Sequence, residues 1–290
     1  MPAVHHRYLT IDGHRLFFRE AGDPDAPALV LLHGFPTSSY MFRGLVPALA
    51  GGYHVIAPDH LGFGLSDAPP VEQFDYTFDA LTALTQGLLR ALRIDRYAMY
   101  VQDYGAPIGW RLALGDSAAI TAIISQNGNA YDVGFVESFW KTVRAYQTEQ
   151  TAETEGAVRQ FLTLDATRWQ YVTGVADETL VNPESWYHDY ALISRPGNDR
   201  VQLKLLLDYA SNSPLYPRVH EYFRASKVPL LAVWGRGDEI FGPAGAQAFS
   251  EDLPDAEIHL LDGGHFLLES ALDEVTRLIG SFLAKVHANA

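Results

Sequence analysis

A set of short apolar runs constrains this chain more than any other feature: ALVLL at 28–32, YHVIA at 53–57, YAMYV at 97–101, ITAIIS at 120–125 and PLLAVW at 229–234, followed by the more mixed EIHLL at 257–261. Runs this short and this continuously apolar read as strands covered on both faces, the situation of a parallel sheet packed between helices. Helical periodicity fills the intervals, from about Ser38 to Leu49, Thr77 to Leu92, Pro107 to Leu114, Pro243 to Leu253 and Phe266 to Val286. Strand and helix alternating through short connections predict an α/β protein with a mainly parallel central sheet flanked by helices. The N-terminal stretch Arg7–Gly22 differs, because two alternating runs flank Asp12-Gly13, a dipeptide that favours a tight hairpin.

The alternation stops at about residue 128 and resumes at about 227. Between these points there are no apolar strand runs, and the pattern is helical, for example over Val136–Tyr146 and Glu155–Leu164. This stretch holds eight of the fifteen tyrosines and three of the five tryptophans. Ligands of parallel sheets sit at the C-terminal ends of the strands. An aromatic helical insert after the sixth strand is therefore expected to be a cap over those ends. The expected organisation is a core domain of residues 1–127 and 227–290 with a cap domain of residues 128–226.

Several classes of function are disfavoured. A formal charge of −14 over 290 residues would repel nucleic acid and anionic membrane surfaces alike. Without cysteine there can be no disulfide, thiolate nucleophile or thiolate metal site. No apolar stretch approaches the ~20 residues that span a bilayer, and MPAVHHRYLT lacks the basic-then-apolar order of a signal peptide. A cytoplasmic protein is the expectation. The adjacent His5 and His6 read as a frayed terminus, and no metal or cofactor is expected. The oligomeric state, a homodimer included, is left open.

Polar or glycine-rich signals cluster where the strands end. YAMYV is followed by Gln102, Asp103, Tyr104, Gly105 and Ala106, and small residues there suit a strand that breaks sharply into a helix and presents its tip residue under strain. Taken alone, Asp103 could be a turn or cap residue. However, His33-Gly34-Phe35-Pro36 follows ALVLL, Asp238 follows PLLAVWGRG and His265 follows EIHLLDGG. A nucleophile, an acid and a histidine at successive strand ends follow the chain order of an α/β-hydrolase triad.

Over nearly its whole length the sequence resembles the α/β-hydrolase fold, and within it the epoxide hydrolase and haloalkane dehalogenase branch. The resemblance rests on HGFPTSSY (33–40), DHLGFGLSD (59–67), VQDYGA (101–106), WGRGDEIF (234–241) and DGGHFLLES (262–270). No G-x-S-x-G occurs, so a serine esterase reading lacks its nucleophile. The resemblance implies that Asp103 attacks an alkyl carbon and forms an ester. His265 then activates water against that ester, Asp238 orients the imidazole, and the backbone N–H groups of Phe35 and Tyr104 hold the oxyanion. It also implies a cis Phe35–Pro36 bond. His33, Pro36, Trp140 and Phe266 are expected to line a pocket for a small apolar electrophile and water.

The leaving group decides between substrates. Haloalkane dehalogenases usually place Trp after the nucleophile, and fluoroacetate dehalogenases place Arg there; this chain has Tyr104. Epoxide hydrolases use two cap tyrosines as acids. Tyr209, in LLLDYASN, matches the second of these. For the first the choice is Tyr146, with Trp140 and Tyr171 as rivals. The expectation is hydrolysis of an epoxide to a vicinal diol, with dehalogenation as the alternative. A non-catalytic small-molecule-binding relative is the second alternative, since fold alone does not give function.

Overall fold

The computed structural model describes residues 2–288. Eight strands form one sheet: β1 (His5–Ile11), β2 (His14–Ala21), β3 (Ala28–Leu32), β4 (His54–Pro58), β5 (Tyr97–Val101), β6 (Ile120–Gln126), β7 (Leu230–Gly235) and β8 (Glu257–Leu261). Their spatial order is β1-β2-β4-β3-β5-β6-β7-β8, with β2 antiparallel to both its neighbours and every pairing from β4 through β8 parallel. The β1–β2 turn is the expected one, Asp12 and Gly13 both having positive φ (48° and 85°). Strand β1 reaches back to His5, so the two N-terminal histidines are paired residues and not a frayed end; Arg19 donates to His6 Nε2 at 2.8 Å.

The all-apolar strands are buried on both faces because each face carries its own helical layer. Successive side chains of a strand point to opposite faces. Thus Val30, Leu32, Met99 and Val101 join a core with Leu81, Leu84 and Leu88 of α2 (Phe78–Ala91), and with Ile108 and Leu112 of α3 (Gly105–Gly115). Leu29, Leu31, Ala98 and Tyr100 instead join Leu45 and Leu49 of α1 (Leu45–Leu49) and Val275, Ile279 and Phe282 of the C-terminal helix. Each fully buried aliphatic side chain stabilises the sheet by roughly 1.5–3 kcal/mol. A charge at Met99 or Val101 would therefore break the face on which α3 rests.

Two helices expected to be continuous are not. The stretch from Ser38 to Leu49 is a 3-10 turn at Ser39–Phe42 followed by α1. Pro47 has no N–H to give a carbonyl one turn back, so it is tolerated only in the first turn of a new helix. The stretch from Phe266 is broken at Ala271 (φ −134°), and Asp273 and Glu274 then favour the N-terminus of the long helix that follows.

Between β6 and β7 the chain forms α4 (Glu137–Thr148), α5 (Ala152–Arg159), α6 (Leu164–Val172), α7 (Pro183–Ile193), α8 (Asn198–Asp208) and α9 (Tyr216–Ser226). Helix α9 packs beside the sheet, where Phe223 meets Trp110 of α3 at 5.6 Å between ring centroids. After β7 come α10 (Pro243–Asp252) and, beyond β8, α11 (Leu267–Ser270) and α12 (Leu272–Ala288).

Candidate active site

Strands β3 and β5 are neighbours, so the loop after β3 and the turn after β5 meet at one sheet edge. Asp103 sits between β5 and α3 with φ +48°, a left-handed conformation that costs a non-glycine residue about 1–2 kcal/mol. Two glycines make the turn fit. A Cβ on Gly34 would come within 2.2 Å of the Asp103 Cβ, and one on Gly105 would come within 2.1 Å of the Leu32 carbonyl oxygen. Helix α3 starts at Gly105, two residues earlier than the periodicity suggests, which brings its N-terminus up to the carboxylate.

The Phe35 N–H donates to Asp103 Oδ1 at 2.6 Å, the Tyr104 N–H is near enough to favour the ionised carboxylate, and the Phe35–Pro36 bond is cis. Asp103 Oδ2 lies 3.9 Å from His265 Nε2. His265 Nδ1 donates to Asp238 Oδ2 at 2.9 Å. Asp103, Asp238 and His265 are each 5% exposed or less. The structure thus brings together Asp103, His265, Asp238, Phe35 and Tyr104.

Asp238 is fully partnered. Its Oδ1 accepts from the backbone N–H groups of Ile240 (2.7 Å) and Phe241 (3.2 Å), and its Oδ2 also accepts from Asn127 Nδ2 at 2.6 Å. Asn127 follows β6 with φ +50°, and its own amide oxygen accepts from Gln126 Nε2 at 2.7 Å. Gln126 Nε2 also donates to the His265 carbonyl (2.9 Å), and Gln126 Oε1 accepts from the Tyr100 hydroxyl (2.8 Å). Gln102 Nε2 lies 2.9 Å from His265 Nε2. With Nδ1–H given to Asp238, that nitrogen carries the lone pair and the amide donates to it. Sequence reasoning missed Gln102, Gln126 and Asn127, which have no motif of their own and matter only because three strand ends converge.

Electrostatics follow from this burial. Desolvation pushes the Asp103 carboxyl up to about 6, against the lowering effects of His265 and the two backbone N–H groups. Burial alone would lower His265, but the charge and hydrogen bond of Asp238, together with Asp103, hold the imidazole above its ordinary value.

The remaining expected residues divide. Tyr209 begins a 3-10 turn after α8, with its ring 5.8 Å from that of Tyr104. The segment that carries it is tied to the core: Asp208 Oδ2 accepts from the Phe78 N–H at 2.7 Å, and Arg111 of α3 donates to Asn212 (2.7 Å) and Ser211 (2.9 Å). The Tyr209 hydroxyl forms no well-aligned hydrogen bond among the described residues, and its polar neighbour is the Tyr216 hydroxyl. Trp140 packs 4.6 Å from the Tyr209 ring, but its indole N–H donates to the Ile240 carbonyl at 2.9 Å. Tyr171 stacks on Phe266 at 3.9 Å and gives its hydroxyl to Asp189, so it has no proton to offer a substrate. Phe266 in turn meets the His265 ring edge-on at 5.2 Å.

Two expectations need correction. Tyr146 shares the apolar core of Trp140 and Tyr209 but borders an outer cleft with Val71, Glu155, Arg159 and Arg200, and among the described residues its ring meets neither of theirs. A turn of about 100° per residue puts it roughly 120° around α4 from Trp140. His33 is fully buried, its Nδ1 paired with the Gly34 carbonyl and its Nε2 accepting from the His60 N–H, each at 3.0 Å. Burial holds its imidazole neutral, at about 4. It braces the Phe35 loop and has no free nitrogen for a ligand.

Among the described residues no group of three His, Asp or Glu side chains could hold a metal ion, and no helix is long and apolar enough to cross a membrane. Residues 27–272 match the family model described as alpha/beta hydrolase fold. The chain is 40% identical over 283 residues, 97% of each protein, to the uncharacterized hydrolase YNR064C of Saccharomyces cerevisiae. It is 40% identical over 129 residues to epoxide hydrolase A of Mycobacterium tuberculosis, 43% of this chain and 39% of that one. The haloalkane dehalogenase DbeA of Bradyrhizobium elkani superposes with a TM-score of 0.78 at 24% identity over 100% of both chains, a likeness of fold. With an eight-stranded sheet of this order and such relatives, the chain belongs to the alpha/beta hydrolase fold family and is a hydrolase.

Proposed function

We propose that the protein opens an epoxide to a vicinal diol through an ester on Asp103. The observation that carries this reading is the pairing of a carboxylate at the elbow with the buried Tyr209 phenol, whose hydroxyl makes no well-aligned hydrogen bond among the described residues and neighbours only the Tyr216 hydroxyl and the Asp103 charge. A carboxylate needs no base to become a nucleophile. Asp103 Oδ2 attacks a ring carbon, the C–O bond to the epoxide oxygen breaks, and the resulting alkoxide takes the Tyr209 proton. Burial pushes the Tyr209 phenol well above its usual value, so the proton is present throughout the neutral range.

In the second step Gln102 gives up the His265 lone pair, and His265 takes a proton from water. The hydroxide attacks the ester carbonyl carbon, and the oxyanion develops on Oδ1, which already accepts from Phe35, with the Tyr104 N–H beside the carboxylate. The alkyl oxygen leaves as it takes the proton of the added hydroxyl, which regenerates the carboxylate, and the proton held by His265 restores the Tyr209 phenol. The net change is epoxide plus water to diol. The helices between β6 and β7 act as a cap (residues 128–226) that carries this acid and keeps bulk water away.

A parallel screen of epoxides and haloalkanes, reading diol and halide separately, tests the proposal. Diol release that disappears in Asp103→Ala is expected. Halide release without diol would point to dehalogenation, and neither product from broad panels would favour a binding role.

A further inference from the structure

Epoxide opening on this reading still lacks a second donor. The alkoxide that forms has more than one lone pair, and a single phenol leaves it under-solvated in a site closed to bulk water. The aromatic helices do not supply the second group from the expected places, and the buried Tyr216 hydroxyl is turned to Tyr209 and Asn129. Tyr146 lies on an outer cleft, Trp140 spends its N–H on Ile240, and Tyr171 gives its hydroxyl to Asp189.

Tyr104 has the right placement. It follows the nucleophile directly, it is 3% exposed, and among the described residues nothing pairs with its hydroxyl. Its ring lies 5.8 Å from that of Tyr209, and one residue, Phe78, meets both rings edge to face at 5.2 and 5.5 Å with perpendicular planes. Phe35 at 5.9 Å and Phe63 at 6.2 Å close the remaining sides with carbon. An unpaired hydroxyl in such a setting costs stability that a phenylalanine would not. Both phenols sense the Asp103 charge, which together with burial keeps them protonated donors.

We propose that the Tyr104 side-chain hydroxyl is the second leaving-group donor, so that the residue after the nucleophile and Tyr209 together hold the epoxide oxygen. This rests on the ester mechanism above. Tyr104 then serves both steps with different atoms: its phenol hydrogen-bonds the alkoxide while Tyr209 transfers the proton, and its backbone N–H later holds the oxyanion on Oδ1.

The test uses His265→Gln, in which the ester accumulates, with and without Tyr104→Phe, and styrene oxide as the probe. Intact mass after rapid quench follows ester formation. After removal of excess epoxide, the slow loss of added mass follows residual hydrolysis. Tyr104→Phe is expected to slow ester formation about 10- to 100-fold at saturating epoxide, to leave the residual hydrolysis unchanged, and to melt no lower than its parent. A change in ester formation below threefold, or equal slowing of both steps, would overturn the assignment. If His265→Gln alone gains no mass from an epoxide that the wild type hydrolyses, the Asp103 ester itself is wrong, which is a separate failure.

Discussion

At the strand ends each carboxylate oxygen of Asp238 has two donors, and Asp103 Oδ1 accepts the Phe35 N–H. In the aromatic layer packed against them, the hydroxyls of Tyr104, Tyr209 and Tyr216 make no well-aligned hydrogen bond among the described residues, Tyr209 and Tyr216 having at best each other. A buried polar group without a hydrogen bond costs about 1–3 kcal/mol; at the strand ends only Gln102 Oε1 stands so among the described residues that contact the Asp103–His265–Asp238 set, whereas in the aromatic layer the phenols do. The contrast assigns them separate tasks. On the proposed mechanism the Asp238 carboxylate keeps its geometry through both steps while Gln102 yields His265 Nε2, and the aromatic layer offers donors to an atom that arrives with the substrate.

Removing the nucleophile should have the largest effect. Asp103→Asn is expected to lower turnover by on the order of 10⁴ or more, read as diol release. The same change should stabilise the protein at pH 8 by about 1–3 kcal/mol in denaturant melts. The sign follows from the carboxyl being pushed up to about 6 in the folded state. Its ionised form is costly above that pH, and the gain should shrink as pH falls through about 6 toward the ordinary carboxylate range. Unchanged stability at pH 8 would mean that the strand-end region carries no such cost.

Tyr209→Phe should act on the other region. Ring opening is expected to slow by about 10²- to 10³-fold, any haloalkane turnover should change much less, and stability should not fall. Equal losses with both substrates would remove Tyr209 as the acid and leave the aromatic layer a packing device.

A smaller effect separates the regions by pH. Ester formation needs ionised Asp103, so its rate should fall about tenfold per pH unit below about 6. Ester hydrolysis needs neutral His265, which is held above its ordinary value, so that limb should begin at higher pH. No alkaline loss from Tyr209 is expected up to pH 10, because its phenol is pushed well above the usual range. Stopped-flow traces of the two half-reactions across pH 5–10 would show the separation or its absence.

The two regions also differed in how legible they were from residues alone. The sheet could be read because ALVLL, YAMYV and PLLAVW have only one comfortable environment, and the triad because its members punctuate those runs in order. Asn127 and Gln102 could not be read that way; an amide at a strand end is unremarkable until Asp238 or His265 folds against it. The aromatic layer was harder still. With eight tyrosines in the insert, composition does not say which faces inward, and Tyr146 fails because α4 turns it away from Trp140. In the sequence Tyr104 is marked only by the indole or guanidinium it lacks, while the relevance of its hydroxyl depends on the Tyr209 ring that the fold sets beside it. The helix breaks at Pro47 and Ala271 depend on a proline's position within a turn and on acidic residues that start a new helix, both finer than apolar periodicity.

The central claim is that Asp103 becomes esterified and His265 is needed only afterwards. Exposing His265→Gln to styrene oxide and measuring the intact protein mass, then the peptide that carries the adduct, tests this most directly. The account predicts a gain of one substrate mass per chain, located on Asp103 and absent in Asp103→Asn. A variant that gains no mass from an epoxide hydrolysed by the wild type, or gains it on another residue, would contradict it.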